Sequence, residues 1–203
     1  MERWASGPLS PALLLISAIT VVAPAEAHEI IPGVTGFPSL LLHPFVAVET
    51  ALLMAGLAVV AGVAGRVPPM ISGGAAIVIG AMVGVALQSS AVLLPGLWRV
   101  PLGLAFILGA LAATGWRLPA AGVVGLGLLV AIAIGIAIPP ERAGLIGRLE
   151  VAAAVVSAIL LVILLIAVPR IAFDRLRPVR VAGQILGAWI LAIALMGLAI
   201  SLR

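Results

Sequence analysis

The sequence predicts an all-α, polytopic membrane protein, and composition and pattern both support that fold class. Hydrophobic residues make up 64% of the 203-residue chain and charged residues 9%, with a mean hydropathy of +1.38. A soluble domain is only about 45–50% apolar. Several apolar runs exceed the roughly 18 residues that a helix needs to cross a hydrocarbon layer. These runs lack the alternation of barrel strands, so helices are expected to satisfy their backbone groups.

The first 27 residues have the order of features that is typical of a cleavable signal peptide. Arg3 precedes the apolar segment 12–23, and the small-residue pattern Ala-Glu-Ala ends at Ala27. We expect cleavage after Ala27, which would make His28 the first residue of the mature chain. The free α-amino group and the imidazole of His28 could then chelate a metal ion together. Alternatively, an accessible cleavage site leaves a histidine first without any such role.

Six apolar segments after the signal predict a bundle of six transmembrane helices over residues 28–203. Arginine and proline mark the short connections between the segments, where helices are expected to stop. The segments cover residues 38–63, 70–94, 100–116, 119–138, 150–169 and 180–201, with boundaries good to a few residues. No connection exceeds about a dozen residues. Any chemistry must therefore occur within the bundle.

The distribution of arginine predicts how the bundle is oriented. If the mature N-terminus lies outside, six arginines fall in inner loops and four in outer positions, in agreement with the positive-inside rule. The inner set is Arg66, Arg117, Arg170, Arg175, Arg177 and Arg180, and the outer set is Arg99, Arg142, Arg148 and Arg203. We place the arginine-rich fifth connection, residues 170–180, in the cytoplasm.

Composition also excludes several classes of function. The chain has no cysteine, which excludes disulfides, thiolate metal sites and cysteine nucleophiles. Its net charge of +4 is spread over short loops rather than gathered in one patch, so nucleic acid is not an expected partner. Asp174 is the only aspartate, and neither histidine has the spacing of a serine or zinc hydrolase. We expect no enzymatic activity.

Two ionisable residues in the first apolar segment, His43 and Glu49, are the leading candidates for a functional site. A charged group at mid-bilayer costs about 2.5–3.5 kcal/mol on insertion scales, so such residues are candidates by default. On an ideal helix Thr50 shares the face of His43, whereas Glu49 is rotated by roughly 100–120°. His43 and Glu49 could converge only through side-chain reach, a helix distortion or a partner helix.

Glu150 is a third candidate, at the predicted start of the fifth helix with Ser157 on the same face. Together with His28, His43 and Glu49 it could form a site near the outer surface. Imidazole and carboxylate ligands suit a divalent transition metal without selecting one. Each residue also has a structural alternative. His43 could be a neutral, hydrogen-bonded histidine at the membrane interface, and Glu49 could be a protonated or paired structural acid. Glu150 could simply complement the dipole at a helix start.

Small and amide-bearing residues are interpreted as packing features. Gly80 with Gly84, and Gly183 with Gly187, have the spacing that lets helix backbones approach closely. Interhelical hydrogen bonds are the expected role of the uncharged polar residues Gln88, Ser89, Ser90 and Gln184.

The segment GFPSLLLHPFVAVETALLM, residues 36–54, resembles the signature helix of the HupE/UreJ family of hydrogenase and urease accessory membrane proteins. That helix usually has Gly-Phe followed by His-Pro-x-x-Gly-x-Asp-His-x-x-Ala-Met. The segments LEVAAAVVS and RVAGQILGAWILAIAL resemble the family's glutamate-led helix and its closing helix. The matching positions are Gly36, Phe37, His43, Pro44, Met54, Glu150 and Ser157.

The resemblance implies a permease for nickel or cobalt in the bacterial cytoplasmic membrane, with His43 and Glu49 at metal-handling positions. It implies no permanently bound cofactor, and its partners would be the lipid bilayer, the transported ion, metalloenzyme maturation proteins and a second copy of the chain. Where the family has Gly, Asp and His, this chain has Ala47, Glu49 and Thr50. The lost imidazole leaves an alternative open: a divergent scaffold or assembly subunit that no longer transports metal.

Overall fold

The structure is a computed structural model that describes residues 35–64, 70–91, 99–140, 144–173 and 175–201. The predicted signal peptide and His28 lie outside these ranges. Within them the regular structure is entirely helical, as predicted. The elements are α1 (Phe37–Val46), α2 (Val48–Ala64), α3 (Met70–Ala91), α4 (Val100–Thr114), α5 (Ala120–Ala137), α6 (Gly144–Val162), a π turn (Ile163–Ala167), α7 (Val168–Ala172) and α8 (Arg177–Ser201).

Several of these helices can cross a membrane. Ala120–Ala137, the continuous helix Gly144–Ala172 and Arg177–Ser201 are each long and apolar enough, and α1 with α2 adds a fourth span if the bent pair is counted as one. Ser72–Gln88 and Val100–Thr114 are shorter apolar helices. The prediction of an all-α protein with several helices able to span a membrane is confirmed. Six complete spans stay a prediction.

The first predicted span, residues 38–63, is interrupted. Helices α1 and α2 meet at an angle of 79°, and Ala47 between them is extended, with φ −74° and ψ 117°. Pro44 is the eighth of the ten residues of α1 and therefore lies inside the helix, near its end. Its ring removes one backbone donor and clashes with the carbonyl four residues earlier, which favours a kink or break nearby.

Helix α2 lies at the centre of the structure. Twelve of its 17 residues are buried, on every side of the helix. It packs against α1, α4, α5, α6, the π turn, α7 and α8. A helix that is hydrophobic all round is expected in such a central position. Burial begins at Thr50, whereas Val46 and Val48 on either side of the break are exposed, so the interruption lies at the margin of this packed helix.

Two helix pairs are held by glycine contacts, α3 with α5 and α4 with α8. A β-carbon at Gly80 would lie 2.5 Å from the carbonyl oxygen of Leu128, and one at Gly187 would lie 2.5 Å from the amide nitrogen of Ala113. Real β-carbons do not approach that closely, so the backbones require glycine. The prediction that these glycines serve packing is confirmed.

The fifth predicted helix is longer than expected and contains a π turn. It runs from Gly144 to Ala172, whereas the sequence placed it at residues 150–169. The amide of Val168 donates to the carbonyl of Ile163, five residues back. Pro169 follows at once and cannot donate to the carbonyl of Leu165, so a locally wider turn accommodates it.

Candidate functional site

The interruption between α1 and α2 is fixed by a threonine. Thr50 is buried, and its hydroxyl oxygen lies 2.8 Å from the carbonyl oxygen of Pro44 and 2.9 Å from that of Ala47. A hydroxyl has one proton, so it donates to these two acceptors in a shared or alternating hydrogen bond. The amide of Ala47 also donates to the carbonyl of His43. Backbone carbonyls exposed by the break thus find donors inside the protein.

His43 lies on the buried side of α1, one turn before the break. Ser39, Leu40 and Pro44 are the buried residues of this helix. At about 100° per residue, His43 falls inside the arc that those three residues define. Its side chain is half-buried, and α1 packs against α6 and α2. His43 is therefore placed on the packed side of its helix.

Glu49 occupies the first turn of α2, on the other side of the break. It is half-buried and lines a cavity of about 280 Å³. The other walls come from the beginning of α4 and the end of α8, including Leu102, Met196 and Ser201. A carboxylate in the first turn also complements the positive end of the α2 dipole. Glu49 thus combines an electrostatically favourable position with access to open space.

Glu150 is the seventh residue of α6, not a first-turn residue, because the helix begins at Gly144. The interpretation of Glu150 as an acid that complements a helix start therefore fails. Its neighbours one turn away on either side, Gly147 and Ala154, are buried, and Glu150 itself is half-buried. Ser157, predicted to share its face, is exposed. Glu150 thus lies at the edge of the buried face of α6, the helix that packs against α1.

The described residues include three side chains of the predicted ligand set: His43, Glu49 and Glu150. They are the only histidine or acidic residues in the described ranges, and no three such residues there lie close enough together to hold a metal ion. Among those residues, Glu49 lines the cavity near the break and His43 does not. His28 lies outside the described residues, so its place in a metal site is not described by the structure. The four-residue ligand set stays a prediction.

The structural role of Thr50 was not foreseen from the sequence. Thr50 was read as the place of a lost family histidine, whereas the structure shows it joining the two halves of a broken span. A signal was present: a proline inside an apolar helix, followed six residues later by a hydroxyl residue. Serine and threonine hydroxyls often satisfy backbone carbonyls that a break in a membrane helix leaves open.

Replacing Thr50 with valine is expected to destabilise the protein by about 0.5–2 kcal/mol, the usual range for a hydrogen bond within a membrane protein. Valine keeps the shape but leaves the buried carbonyl of Pro44 without this donor. The free energy of unfolding in mixed micelles measures the effect. Thr114→Val is the matched control, because the exposed Thr114 hydroxyl bonds only to carbonyls of its own helix. Equal losses in both variants would contradict the role given to Thr50.

Comparisons of the chain with protein families, with curated proteins and with solved structures found no match. The class that the fold defines is an all-α, multi-pass membrane protein. The resemblance to HupE/UreJ proteins stays a prediction from the sequence.

Proposed function

We propose that the protein is a small permease that passes a divalent transition metal, nickel or cobalt, across the bacterial cytoplasmic membrane for metalloenzyme maturation. In this proposal the mature chain forms six spans with its N-terminus outside. The observation that carries it is the 79° break in the first span, with His43 on one side and Glu49 on the other. On an unbroken helix these two side chains would point in different directions.

A broken helix is a common place for an ion site in membrane transporters, because backbone carbonyls and helix ends face the ion there. The C-terminal end of α1 carries partial negative charge that attracts a cation. The N-terminal end of α2 carries partial positive charge, which Glu49 offsets in its first turn. The end of α1 and Glu49 contribute negative charge at the break, while Arg99, which donates to the carbonyl of Ser201 in the wall of the same cavity, contributes positive charge.

The residue types suit a transported ion. Imidazole binds nickel, cobalt, copper and zinc well, and a carboxylate adds a charged oxygen ligand. One imidazole and one carboxylate are few ligands, and an ion held by few ligands can leave. The remaining coordination positions can be filled by water, by His28, by Glu150 or by a second copy of the chain. The sequence has no phosphate-binding loop for ATP, so a gradient or a partner protein would supply the energy.

Glu49→Gln is expected to weaken Ni²⁺ or Co²⁺ binding by at least about tenfold, because the change removes the carboxylate charge and keeps the shape. Isothermal titration calorimetry of the purified full chain with each metal measures the affinity. Ser201→Ala is the matched control, since Ser201 lines the same cavity and its hydroxyl bonds to the carbonyl of Leu198. Unchanged affinity in Glu49→Gln would reduce Glu49 to a structural acid.

A second candidate function is a scaffold or assembly subunit without transport. The observation that favours it is that the described residues contain no three-residue group of histidine and acidic side chains able to hold a metal. The two functions differ in metal affinity. Binding of Ni²⁺, Co²⁺, Cu²⁺ or Zn²⁺ at micromolar concentration and neutral pH supports the permease, whereas its absence for all four metals supports the scaffold.

A further inference from the structure

A second cavity, which we call the apolar cavity, lies between α2, α3, α5 and the continuous helix Gly144–Ala172. Its volume is about 220 Å³. Every lining residue among those that the structure describes is glycine, alanine, valine, leucine or isoleucine. A buried water molecule needs roughly two to four polar partners, whereas an apolar cavity of about 150 Å³ can stay dry and bind benzene. The apolar cavity is therefore suited to hydrocarbon and not to water.

This cavity extends from the surface of the bundle toward its centre. Leu160 at its edge is 47% exposed, whereas Ala61 and Ile77 on its inner walls are 3% and 4% exposed. Leu160 is the seventeenth of the 29 residues in the helix Gly144–Ala172, about 24 Å from one end and about 18 Å from the other. A helix that crosses a membrane has hydrocarbon around this middle part. The mouth of the cavity therefore faces lipid chains.

The apolar cavity is elongated along the helix axes. Leu160, Ile163, Ala167 and Ile171 all line it, and their spacing of three or four residues follows one side of the helix. Leu160 and Ile171 are separated by about 16 Å along the axis. Half of a hydrocarbon layer is about 15 Å thick. The cavity thus has the length of one lipid leaflet, with Ile171 near the end of the span and Leu160 near its middle.

Glycine keeps this space open on the side of α3. Gly74 lines the cavity, and no described atom lies within 4 Å of a β-carbon built there. At Gly80 and Gly84 of the same helix, by contrast, close contacts with backbone atoms require glycine. Glycine disfavours a helix, and packing gives no reason for it at Gly74. The missing side chain at Gly74 therefore serves the cavity itself.

The π turn shapes another wall of the cavity. Ile163 and Ala167 are its first and last residues, and both line the cavity. Leu164 and Leu165 between them are 59% and 64% exposed. Two large side chains of the π turn are thus directed outward, and the small Ala167 borders the open space. Single π turns within α-helices are frequent at functional sites.

We propose that the apolar cavity binds one acyl chain of a membrane phospholipid, with the ester end of the chain near Ile171 and the methyl end near Leu160. The site is independent of the proposed metal function, because its lining includes no residue of the predicted ligand set. The apolar lining, the mouth at mid-span and the length of one leaflet all match an extended hydrocarbon chain. A bound chain also supplies the dispersion contacts that an empty space between helices would lose.

The test is photolabelling of the purified full chain in phosphatidylcholine liposomes. Each sample contains a small fraction of phosphatidylcholine with a diazirine at a defined carbon of one acyl chain. Light releases nitrogen from the diazirine, and the resulting carbene inserts into a neighbouring C–H bond, which peptide mass spectrometry locates. Ala61 is the diagnostic residue, because it is buried and lines the cavity, so that a carbene reaches it from within the cavity. We expect Ala61 to be labelled.

The position of the diazirine tests the direction of the chain in the unchanged protein. A diazirine near the ester should label Ile171, and one near the methyl end should label Leu160 and the buried Leu57. A pattern that does not depend on the position of the diazirine would contradict an extended chain in this cavity. This measurement needs no variant and is therefore not affected by misfolding of one.

Gly74→Leu fills the cavity from α3. We expect it to lower the labelling of Ala61 by about tenfold or more, because fewer methylenes of the lipid chain can be buried. Gly125→Leu is the matched control. Gly125 is a half-buried glycine of α5 that also has no described atom within 4 Å of a built β-carbon, and it does not line the cavity. That variant should be labelled like the unchanged protein.

Two further results overturn the proposal. If no diazirine position labels Ala61 or Leu57, the cavity is closed to lipid and holds something else. If Gly74→Leu, folded by circular dichroism, is labelled at Ala61 as strongly as Gly125→Leu, the carbene reaches α2 by a route other than the cavity.

Discussion

Replacing His43 with alanine is expected to abolish metal-dependent uptake while membrane insertion stays normal. His43 is one of two histidines in the sequence and the only one in the described ranges, so alanine removes the nitrogen ligand that the proposed metal site would have near the break. Mutating even a residue that only hydrogen-bonds to a metal ligand lowers metal affinity or activity by about 10–100-fold. Removing a ligand itself should lower them at least as much. Uptake of Ni²⁺ or Co²⁺ into liposomes that contain the protein, measured by elemental mass spectrometry, checks this result.

Two further variants make the His43 result specific. Phe45→Ala removes a large, exposed side chain from the same helix and should leave uptake unchanged. His43→Gln keeps a hydrogen-bonding side chain of similar length but is a poor metal ligand. Normal uptake in His43→Gln would show that His43 serves as a neutral hydrogen-bonding residue, and the metal site would have to be sought elsewhere.

The largest structural effect is expected from Gly84→Ala. Gly84 on α3 faces Gly135 on α5, and a β-carbon there would lie 2.9 Å from the Cα of Gly135 and still closer to the carbonyl oxygen of Ile132. Both contacts are with backbone, which cannot move aside as a flexible side chain can. Overpacking of this kind costs about 1–3 kcal/mol. The midpoint of thermal unfolding in detergent should fall accordingly.

Gly74→Ala on the same helix is the matched control. No atom lies within 4 Å of a β-carbon built at Gly74. Alanine is favoured over glycine in a helix by about 1 kcal/mol, so this variant should be unchanged or slightly more stable. If the two substitutions lowered the unfolding temperature equally, the close approach of α3 and α5 would not be what holds this helix pair together.

Most of the helices could be predicted because hydropathy reports directly on helix burial in a membrane. Glycine spacing also indicated close packing at positions 80, 84 and 187, since a backbone contact demands a residue without a β-carbon. The break in the first span was missed because residues 38–63 are almost continuously apolar. Hydropathy does not change when such a run bends, and the signal of the interruption was Pro44 followed six residues later by Thr50.

The sites were harder to predict than the helices. His43, Glu49 and Glu150 stand out in the sequence because ionisable residues are rare in apolar segments, but their separations depend on the break and on where α6 begins. The residues that line the apolar cavity do not stand out at all, because each belongs to an apolar run. Their meeting in one cavity depends on contacts between helices that are distant in the sequence, which no local pattern encodes.

The π turn has a consequence for aligning this chain with any homologue. Leu165 follows Gly147 by eighteen residues, or five α-helical turns, and would share its buried side in a regular helix. Instead Leu165 is 64% exposed and Ala167 is buried. The π turn adds about one residue to the helical periodicity. The residues after it, including Arg170, are therefore rotated about the helix axis relative to a regular α-helix. A relative with an uninterrupted helix should therefore need a one-residue gap between positions 163 and 167, and an ungapped alignment would pair Arg170 with the wrong position.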